Sequence, residues 1–395
     1  MPIGVLLATA CASGRPAQSR PPPSTMVAPA VAVAVRAAES SPDAVVAGPA
    51  ASGSEGPVAL ASAEVVELDA AMESLRAKLP PRPFAPGGPS LEITRRVSTG
   101  VQPKSIAISP SGDRLYVCNF GLSGRRNVWV YETDGLQKVG RIDFPGNAAE
   151  ATVSADGGTV YVSNFARSRI EVVDAESLEV TDEIKVGSNP KFMVVDEERG
   201  LLYVSNWSSR SVSAVDLARK RVDHTLHTGR RPRGLALLDD GTLLVGAMWD
   251  HRVQVYAPGS TRPDREFDAC ENPRHLMLSP DQSRLYVSCS GDRMLRWFDP
   301  LTGEVLGESP TGFNPRTIGV SPDGRFVAIA DFSSSTVSLV DLVGMHYRTH
   351  AAERTKQIVG LAVAPEDELR VFVTSWLTNE LLEMRPTEAP IAALR

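Results

Sequence analysis

A sevenfold internal repeat of about 42 residues constrains the fold of this chain more than any other feature. Each copy has a Pro position, a run of alternating apolar residues, a polar turn, and a second run that resembles Tyr116-Val117-Cys118-Asn119. A third and a fourth alternating run follow in most copies, separated by Gly, Asp, Ser and Asn. Four short strands per copy are typical of the blades of a β-propeller. The sequence therefore predicts an all-β fold, a seven-bladed β-propeller.

The two ends of the repeat region predict how the ring closes. The seventh copy stops after its third run, near Met384, while Leu91–Gly100 ends in Gly as the other fourth runs do. If this N-terminal strand completes the seventh blade, the ring closes and no sheet edge is left exposed. We therefore predict one folded domain over residues 89–387 and a short tail over 388–395. Length alone, at 395 residues, would suggest two or three domains.

The first residues predict export and attachment to a membrane. Residues 2–10 form an apolar run that ends in small residues, as in a secretion signal. Leu7-Ala8-Thr9-Ala10-Cys11 resembles a bacterial lipobox, a motif in which the Cys is acylated. The resemblance implies a signal peptide over residues 1–11 and a lipid on Cys11. We therefore expect a protein anchored in the bacterial cell envelope, periplasmic or at the outer membrane, with a secreted protein as the alternative.

Residues 12–88 have the composition of a flexible tether. They are rich in Ala, Pro, Ser, Gly and Val, and such a segment buries too little apolar surface to offset the entropy of ordering it. Within this segment, residues 60–79 carry apolar side chains at helical spacing, and Pro80-Pro81 ends the pattern. We expect a short helix there, which either docks on the domain or binds a partner.

The repeat motifs resemble those of a known family. The Tyr-Val-x-Asn runs, the Ser-Pro-Asp-Gly turns and the Asn-Pro-[Arg/Lys] starts are similar to those of the YVTN family of bacterial seven-bladed propellers. The resemblance covers roughly 300 residues and implies the fold, but propellers host many unrelated functions. Function must therefore be sought in particular side chains.

One face of the predicted propeller collects basic and aromatic residues. The residue after the Pro position is basic in five of the seven copies, and an aromatic residue ends the second strand in six. The overall net charge of −6 argues against a generally basic nucleic-acid binder, so a local basic face is informative. The predicted ligand-binding residues are Lys104, Lys191, Arg233, Arg274, His275, Arg316, Arg210, Arg252, Phe120, Phe165, Trp207, Trp249, Phe332 and Trp376.

Guanidinium groups beside aromatic rings can bind anions and stack on planar groups. We therefore expect a non-catalytic binding or scaffold protein, a monomer, that captures an anionic partner at this face. An envelope component such as a glycan, a protein segment and a nucleic acid all remain open as partners. The alternative explanation of the pattern is structural, with the basic residues belonging to the repeat consensus and the aromatic residues packing between blades.

Blade five suggests a different, enzymatic alternative. Asn272-Pro273-Arg274-His275 resembles a motif of propeller lactonases, which implies that Arg274 orients a lactone and His275 activates water. The Asn-Glu that follows in those lactonases is replaced here by Cys289-Ser290, so their carboxylate is missing. A lactonase-like hydrolase of sugar lactones that uses Arg274 and His275 is thus the alternative to binding alone.

The sequence shows no motif that would bind a cofactor or a metal ion. The chain contains no Cys-x-x-Cys-His and no phosphate-binding loop, and we expect no cofactor and no metal. Cys270 and Cys289 both fall in blade five, and the sequence leaves open whether they pair.

Overall fold

The computed structural model describes residues 84–121 and 124–387, which form 29 strands and one short 3-10 helix. The strands are numbered in chain order, and each blade corresponds to one copy of the repeat. Blade one comprises β3 (Pro103–Ile108), β4 (Arg114–Asn119), β5 (Val128–Glu132) and β6 (Lys138–Ile142). Blade two comprises β7 (Ala148–Val153), β8 (Thr159–Asn164), β9 (Arg169–Asp174) and β10 (Val180–Lys185). Blade three comprises β11 (Pro190–Asp196), β12 (Leu201–Asn206), β13 (Ser211–Asp216) and β14 (Arg221–His227).

The remaining blades repeat this order. Blade four comprises β15 (Pro232–Leu237), β16 (Leu243–Ala247), β17 (Arg252–Tyr256) and β18 (Arg265–Asp268), with the 3-10 helix (Met248–Asp250) after β16. Blade five comprises β19 (Pro273–Leu278), β20 (Leu285–Cys289), β21 (Met294–Phe298) and β22 (Val305–Pro310). Blade six comprises β23 (Pro315–Val320), β24 (Phe326–Asp331), β25 (Thr336–Asp341) and β26 (His346–Ala351). Blade seven comprises β27 (Ile358–Val363), β28 (Val371–Ser375), β29 (Glu380–Thr387) and β2 (Ser90–Ser98), and β1 is Ala85–Pro86.

The first strand of each blade lies at the centre of the ring. Consecutive first strands contact one another around the ring, as β3 does with β7 and with β27. Fourth strands such as β10 alternate exposed residues with less exposed ones, as expected of an outer strand with one face on a neighbouring blade. The prediction of an all-β, seven-bladed propeller is confirmed.

Both ends of the repeat region contribute to blade seven, as the sequence predicts. β2 pairs antiparallel with β29 as the outermost strand, with Ile93 opposite Met384. The ring is thus closed by backbone hydrogen bonds between residues that are almost 300 positions apart.

A further strand precedes β2 within the range assigned to the tether. β1 pairs in parallel with the outer strand β26 of blade six, with Ala85 opposite His346. Phe84 is buried, and its ring meets that of Trp297 edge to face at a centroid distance of 5.4 Å. Residues 84–86 therefore pack on the propeller. Cys11, the predicted 60–79 helix and the 388–395 tail lie outside the described residues.

The core consists of apolar layers between neighbouring blades. Between blades one and two, for example, Val130 and Tyr116 pack with Val160 and Val162. These apolar layers hold the innermost strands in a fixed ring, and the side chains at the ends of these strands converge on one mouth of the central channel.

Across residues 84–121 and 124–387, no helix is long and apolar enough to cross a membrane.

Candidate functional site

The turn into each innermost strand sets the geometry of the mouth. Asn189, Asn272 and Asn314 precede the Pro in blades three, five and six, and they adopt left-handed φ angles of 56°, 57° and 57°. Asn tolerates this conformation better than most residues, which explains the Asn-Pro pairs of the repeat. The Asn189 carbonyl accepts a hydrogen bond of 3.1 Å from the backbone NH of Trp207. The turn thereby places the basic residue after Pro and the aromatic residue after the second strand at the same end of the blade.

Five basic side chains occupy this end of the innermost strands, and we name them the mouth cations. They are Lys104, Lys191, Arg233, Arg274 and Arg316, from blades one, three, four, five and six. Lys104 and Arg233 are buried, with only 3% of Arg233 exposed, and the other three are partly buried. Blades two and seven carry Ala149 and Val359 at the same position.

The mouth cations have few partners for their charge. None of them takes part in any of the ion pairs found among residues 84–121 and 124–387. The Nε atoms of Arg233, Arg274 and Arg316 are buried without a hydrogen-bond partner. The contacts that do exist are long and run to backbone carbonyls, as from Arg233 Nη1 to Arg274 O at 3.3 Å and from Lys104 Nζ to Ala149 O at 3.4 Å. Buried guanidinium groups normally have partners, and these three Nε donors therefore differ from the paired arginines elsewhere in the described residues.

Burial and mutual repulsion lower the pKa values of the mouth cations. Burial lowers the pKa of Lys104 to about 7 and that of Lys191 to about 5, and the neighbouring charges of Arg233 and Arg274 act in the same direction on both lysines. Burial also lowers the pKa of Arg316 to about 9. Since guanidinium groups hold their protons most firmly, the lysines are the groups that lose theirs first when no anion is bound.

One carboxyl group, Glu150, shares the mouth with these cations. It is buried on β7 of blade two, two residues after the Pro position. Burial raises its pKa, and the charges of Arg233, Lys104 and Lys191 oppose that shift. A single carboxyl facing five basic groups leaves the mouth positive.

Aromatic rings form the wall of the mouth on blades seven, one, two and three. Phe120 lies 5.4 Å from Phe165 and 6.1 Å from Trp376, between ring centroids. Lys191 Nζ lies 4.0 Å from the centroid of Trp207 and 5.4 Å from that of Phe165, so its ammonium or amine group sits between the two rings. These rings present flat apolar surface beside the basic groups.

On blades five and six, arginines rather than aromatic rings dominate the mouth. Arg316 lies over the ring of Phe332, with its guanidinium carbon 3.2 Å from the centroid. In blade five the aromatic position holds Ser290, whose hydroxyl donates to Pro315 O at 2.8 Å. The mouth is therefore divided into an arginine side on blades four to six and an aromatic side on blades seven to three.

His275 lies beneath the arginines and faces the channel. Its Nδ1 accepts a hydrogen bond of 3.1 Å from the backbone NH of Ile318, and its ring meets Phe192 edge to face at 4.8 Å. Burial and the charges of Arg233 and Arg274 lower the pKa of His275 to about 3. The imidazole is thus neutral, and the hydrogen bond assigns its proton to Nε2. In this state it donates through Nε2 and has no free lone pair with which to accept a proton from water.

Two predicted site residues lie away from the mouth cations. Arg252 is exposed and pairs with Glu266 and Asp268 on the outer strand β18. Arg210 is also exposed, and it lines a groove of about 290 Å³ between Trp207 and Trp249. Outer-strand carboxylates engage Arg252, so the structure does not bring it to the mouth.

Sequence reasoning missed the importance of two residues at the mouth. Glu150 and Phe192 stand two residues after the Pro position in blades two and three, where His275 stands in blade five. All three border a channel cavity of about 260 Å³ just below the mouth cations. Alignment of the repeats at this position would have singled them out, because the other copies carry Ser, Gly or Thr there.

The structure joins Cys270 and Cys289 in a disulfide bond. Cys289 ends the second strand of blade five, and Cys270 lies in the loop that leads to Arg274. Cys270, Cys289 and Asp292 form a group that could hold a metal ion in the described residues, but the disulfide engages both sulfur atoms.

Fold and mouth together define a seven-bladed β-propeller with a basic, aromatic channel mouth. The family model described as a seven-bladed β-propeller lactonase matches residues 93–221, which are 129 of the 395 residues and include Lys104, Glu150 and Lys191 but not Arg274 or His275. No curated protein matches the chain.

Solved structures resemble the chain in fold. Hydrazine synthase of Kuenenia stuttgartiensis is similar with a TM-score of 0.64 at 18% identity, over 73% of this chain and 97% of that chain. A chain of a mitotic checkpoint complex is similar with a TM-score of 0.65 at 16% identity, over 79% of this chain and 98% of that chain. At such identities the likeness concerns the propeller fold alone.

Proposed function

We propose that this protein is a binding protein that captures an anionic ligand at the channel mouth. The observation that carries the proposal is the set of three arginines whose buried Nε atoms have no partner. An oxyanion at this place would accept hydrogen bonds from these donors and offset the repulsion among the mouth cations. Keeping such charges unpaired in the free protein reduces stability, so a binding role explains them better than a packing role.

The shape of the mouth supports a ligand with two kinds of surface. Anionic groups would meet Arg233, Arg274 and Arg316, while a planar or sugar-like face would lie against Phe165 and Trp207. A carboxylated or phosphorylated glycan, an acidic protein segment and a nucleic acid strand all have this chemistry. With the predicted lipid on Cys11, the proposed setting is the surface of a bacterial envelope membrane, where the monomeric propeller would be displayed on its tether.

Calorimetric titration with citrate, as a generic multivalent anion, tests the proposal. We expect citrate to bind the full chain with an affinity that falls as salt is added. Arg274→Met should abolish the binding, because it removes one of the three convergent guanidinium groups. Arg252→Met is the matched control, since Arg252 is already paired with Glu266 and Asp268, and it should bind as the unmodified chain does. Equal binding by both variants would refute the proposal.

A lactonase-like hydrolase is the second candidate, and the family-model similarity over residues 93–221 favours it. The neutral, Nδ1-bonded state of His275 weakens its role as a general base, so water would have to be activated by another group, of which Glu150 is the candidate at the mouth. Hydrolysis of a sugar lactone by the full chain, lost in Glu150→Gln and retained in Arg252→Met, would support this activity. Equal hydrolysis rates with and without the protein would exclude it.

A further inference from the structure

Lys191 differs from the other described lysines in its surroundings. The chain has seven lysines, and the structure describes six of them. Lys138, Lys185, Lys220 and Lys356 are exposed, while Lys104 is buried and its Nζ donates to Ala149 O at 3.4 Å. Lys191 instead lies between two aromatic rings at the mouth, with its Nζ 4.0 Å from the centroid of Trp207.

No partner holds the Nζ atom of Lys191 as an ammonium group. Within the part of the chain that the structure describes, Lys191 forms no ion pair and no side-chain hydrogen bond. Its charged neighbours Lys104, Arg233 and Arg274 repel a proton there, and Glu150 alone attracts one. Desolvation next to other cations is how proteins prepare a lysine to act as a nucleophile.

The same mouth also holds the groups that would orient an anionic carbonyl compound. The Nε atoms of Arg233 and Arg274 are without a hydrogen-bond partner and would donate to a carboxylate or phosphate of such a compound, while Lys191 is partly exposed and can be reached from solvent. Resting on the proposed capture of anions, we infer that Lys191 binds an anionic aldehyde or ketone covalently and reversibly, as an imine. The proposed ligands of the mouth would then include oxo acids and related anions that carry a carbonyl group.

The step balances without an oxidant or a reductant. The Nζ lone pair forms a bond to the carbonyl carbon, while the electron pair of the C=O double bond moves to oxygen. A proton passes from nitrogen to that oxygen, and Glu150 is the carboxyl at the mouth that can relay it. The oxygen then leaves as water, taking the second proton of the amine. One amine and one carbonyl give one imine and one water molecule, and hydrolysis reverses the reaction.

Reductive trapping with glyoxylate tests the inference. The full chain is treated with glyoxylate and cyanoborohydride at pH 7, and early modification of each lysine is measured by peptide mass spectrometry. We expect Lys191 to be modified at least about tenfold faster than the exposed lysines, because each unit by which an amine pKa exceeds 7 reduces its reactive fraction about tenfold. Lys138, Lys185, Lys220 and Lys356 serve as internal references within the same sample.

Acetaldehyde separates the role of the negative charge from the reactivity of the amine. It presents the same aldehyde without a carboxylate, so it should favour Lys191 over the reference lysines much less than glyoxylate does. Equal modification of Lys191 and the reference lysines by glyoxylate would overturn the inference. A preference for Lys191 that is as strong with acetaldehyde as with glyoxylate would also overturn it. If citrate binds but all lysines are modified equally, the imine inference alone is refuted. If Lys191 is modified selectively but citrate does not bind, the capture proposal is refuted while the reactivity of the Lys191 amine is supported.

Discussion

The arginines of the channel mouth and those elsewhere in the blades differ in how their charge is balanced. Outside the mouth, arginines meet carboxylates at short range, as Arg370 does with Glu383 at 2.7 Å and Arg296 with Glu308 at 2.9 Å. At the mouth, Arg233, Arg274 and Arg316 have buried nitrogen atoms without partners. The fold pairs arginines elsewhere in the described residues, and this contrast is why we propose that the partner of the mouth arginines comes from outside the chain.

The largest effect is expected where a paired, buried arginine is removed. Glu383 is fully buried and contacts Arg370, Arg385 and Arg95. Arg370→Met should lower the free energy of unfolding by about 3 kcal/mol, because it leaves a buried carboxylate short of its main partner. Urea unfolding measures this change, and Arg385→Met is the control, expected to lose less because Arg385 is more exposed. A loss no larger than that of the control would contradict the account of this pair.

Asp331 tests whether a buried carboxylate without a cation beside it lowers stability. Burial raises its pKa to about 7, although Ser338 and Thr336 donate to its Oδ2 at 2.6 Å and 3.1 Å. The folded state therefore binds a proton that the unfolded state releases at a lower pH, and stability is lost as the pH rises through about 7. In blade three, Asn206 occupies the equivalent position and contacts Ser211 and Ser213.

Asp331→Asn should accordingly raise the free energy of unfolding at pH 8 by about 2 kcal/mol and change it little near pH 4. Urea unfolding at both pH values measures the difference between the variant and the unmodified chain. A variant that is less stable at pH 8 would show that the carboxylate is favourable where it lies.

A smaller effect, opposite in sign to that of Arg370→Met, is expected for the unpaired arginines. In buffer without multivalent anions, Arg274→Met should raise the free energy of unfolding by about 1 kcal/mol, because it removes repulsion with Arg233 and Arg316 and breaks no side-chain hydrogen bond. Added citrate should then stabilise the unmodified chain and not the variant. Destabilisation by this substitution would indicate that Arg274 has a structural role.

The smallest effect is expected at the exposed rim. The ion pairs of Arg252 with Glu266 and Asp268 are exposed to solvent, and exposed ion pairs contribute little. Arg252→Met should leave the urea midpoint unchanged within experimental error. A clear shift of the midpoint would mean that this exposed ion pair stabilises the fold as the buried pairs do.

The repeat allowed the ring to be predicted, including its closure, because periodic apolar patterns determine which strands pair. The fourth-strand pattern of Leu91–Gly100 predicted that this segment completes blade seven, and β2 indeed pairs with β29. The pairing of β1 with β26 had no such pattern, since two residues that include Pro86 show no periodicity. Phe84 is buried through a contact with Trp297, which lies far along the chain.

The mouth was predictable in its residue types and not in its energetics. Counting from the Pro position identified Arg233, Arg274 and Arg316, because equivalent positions of a repeat meet at the same end of each blade. Their burial and lack of partners depend on how seven strands converge, which no single repeat reveals. The pairing of Arg252 with Glu266 depends on the register of β17 and β18, and sequence spacing leaves that register open.

Anomalous diffraction from crystals soaked in selenate at neutral pH tests the central claim most directly. Selenate is a tetrahedral oxyanion with a heavy-atom signal, and it has no covalent chemistry with lysine. We expect a selenium peak at the channel mouth, with selenate oxygens within hydrogen-bonding distance of the guanidinium groups of Arg233, Arg274 and Arg316. A mouth without a selenium peak in crystals that bind selenate at other arginines would contradict it.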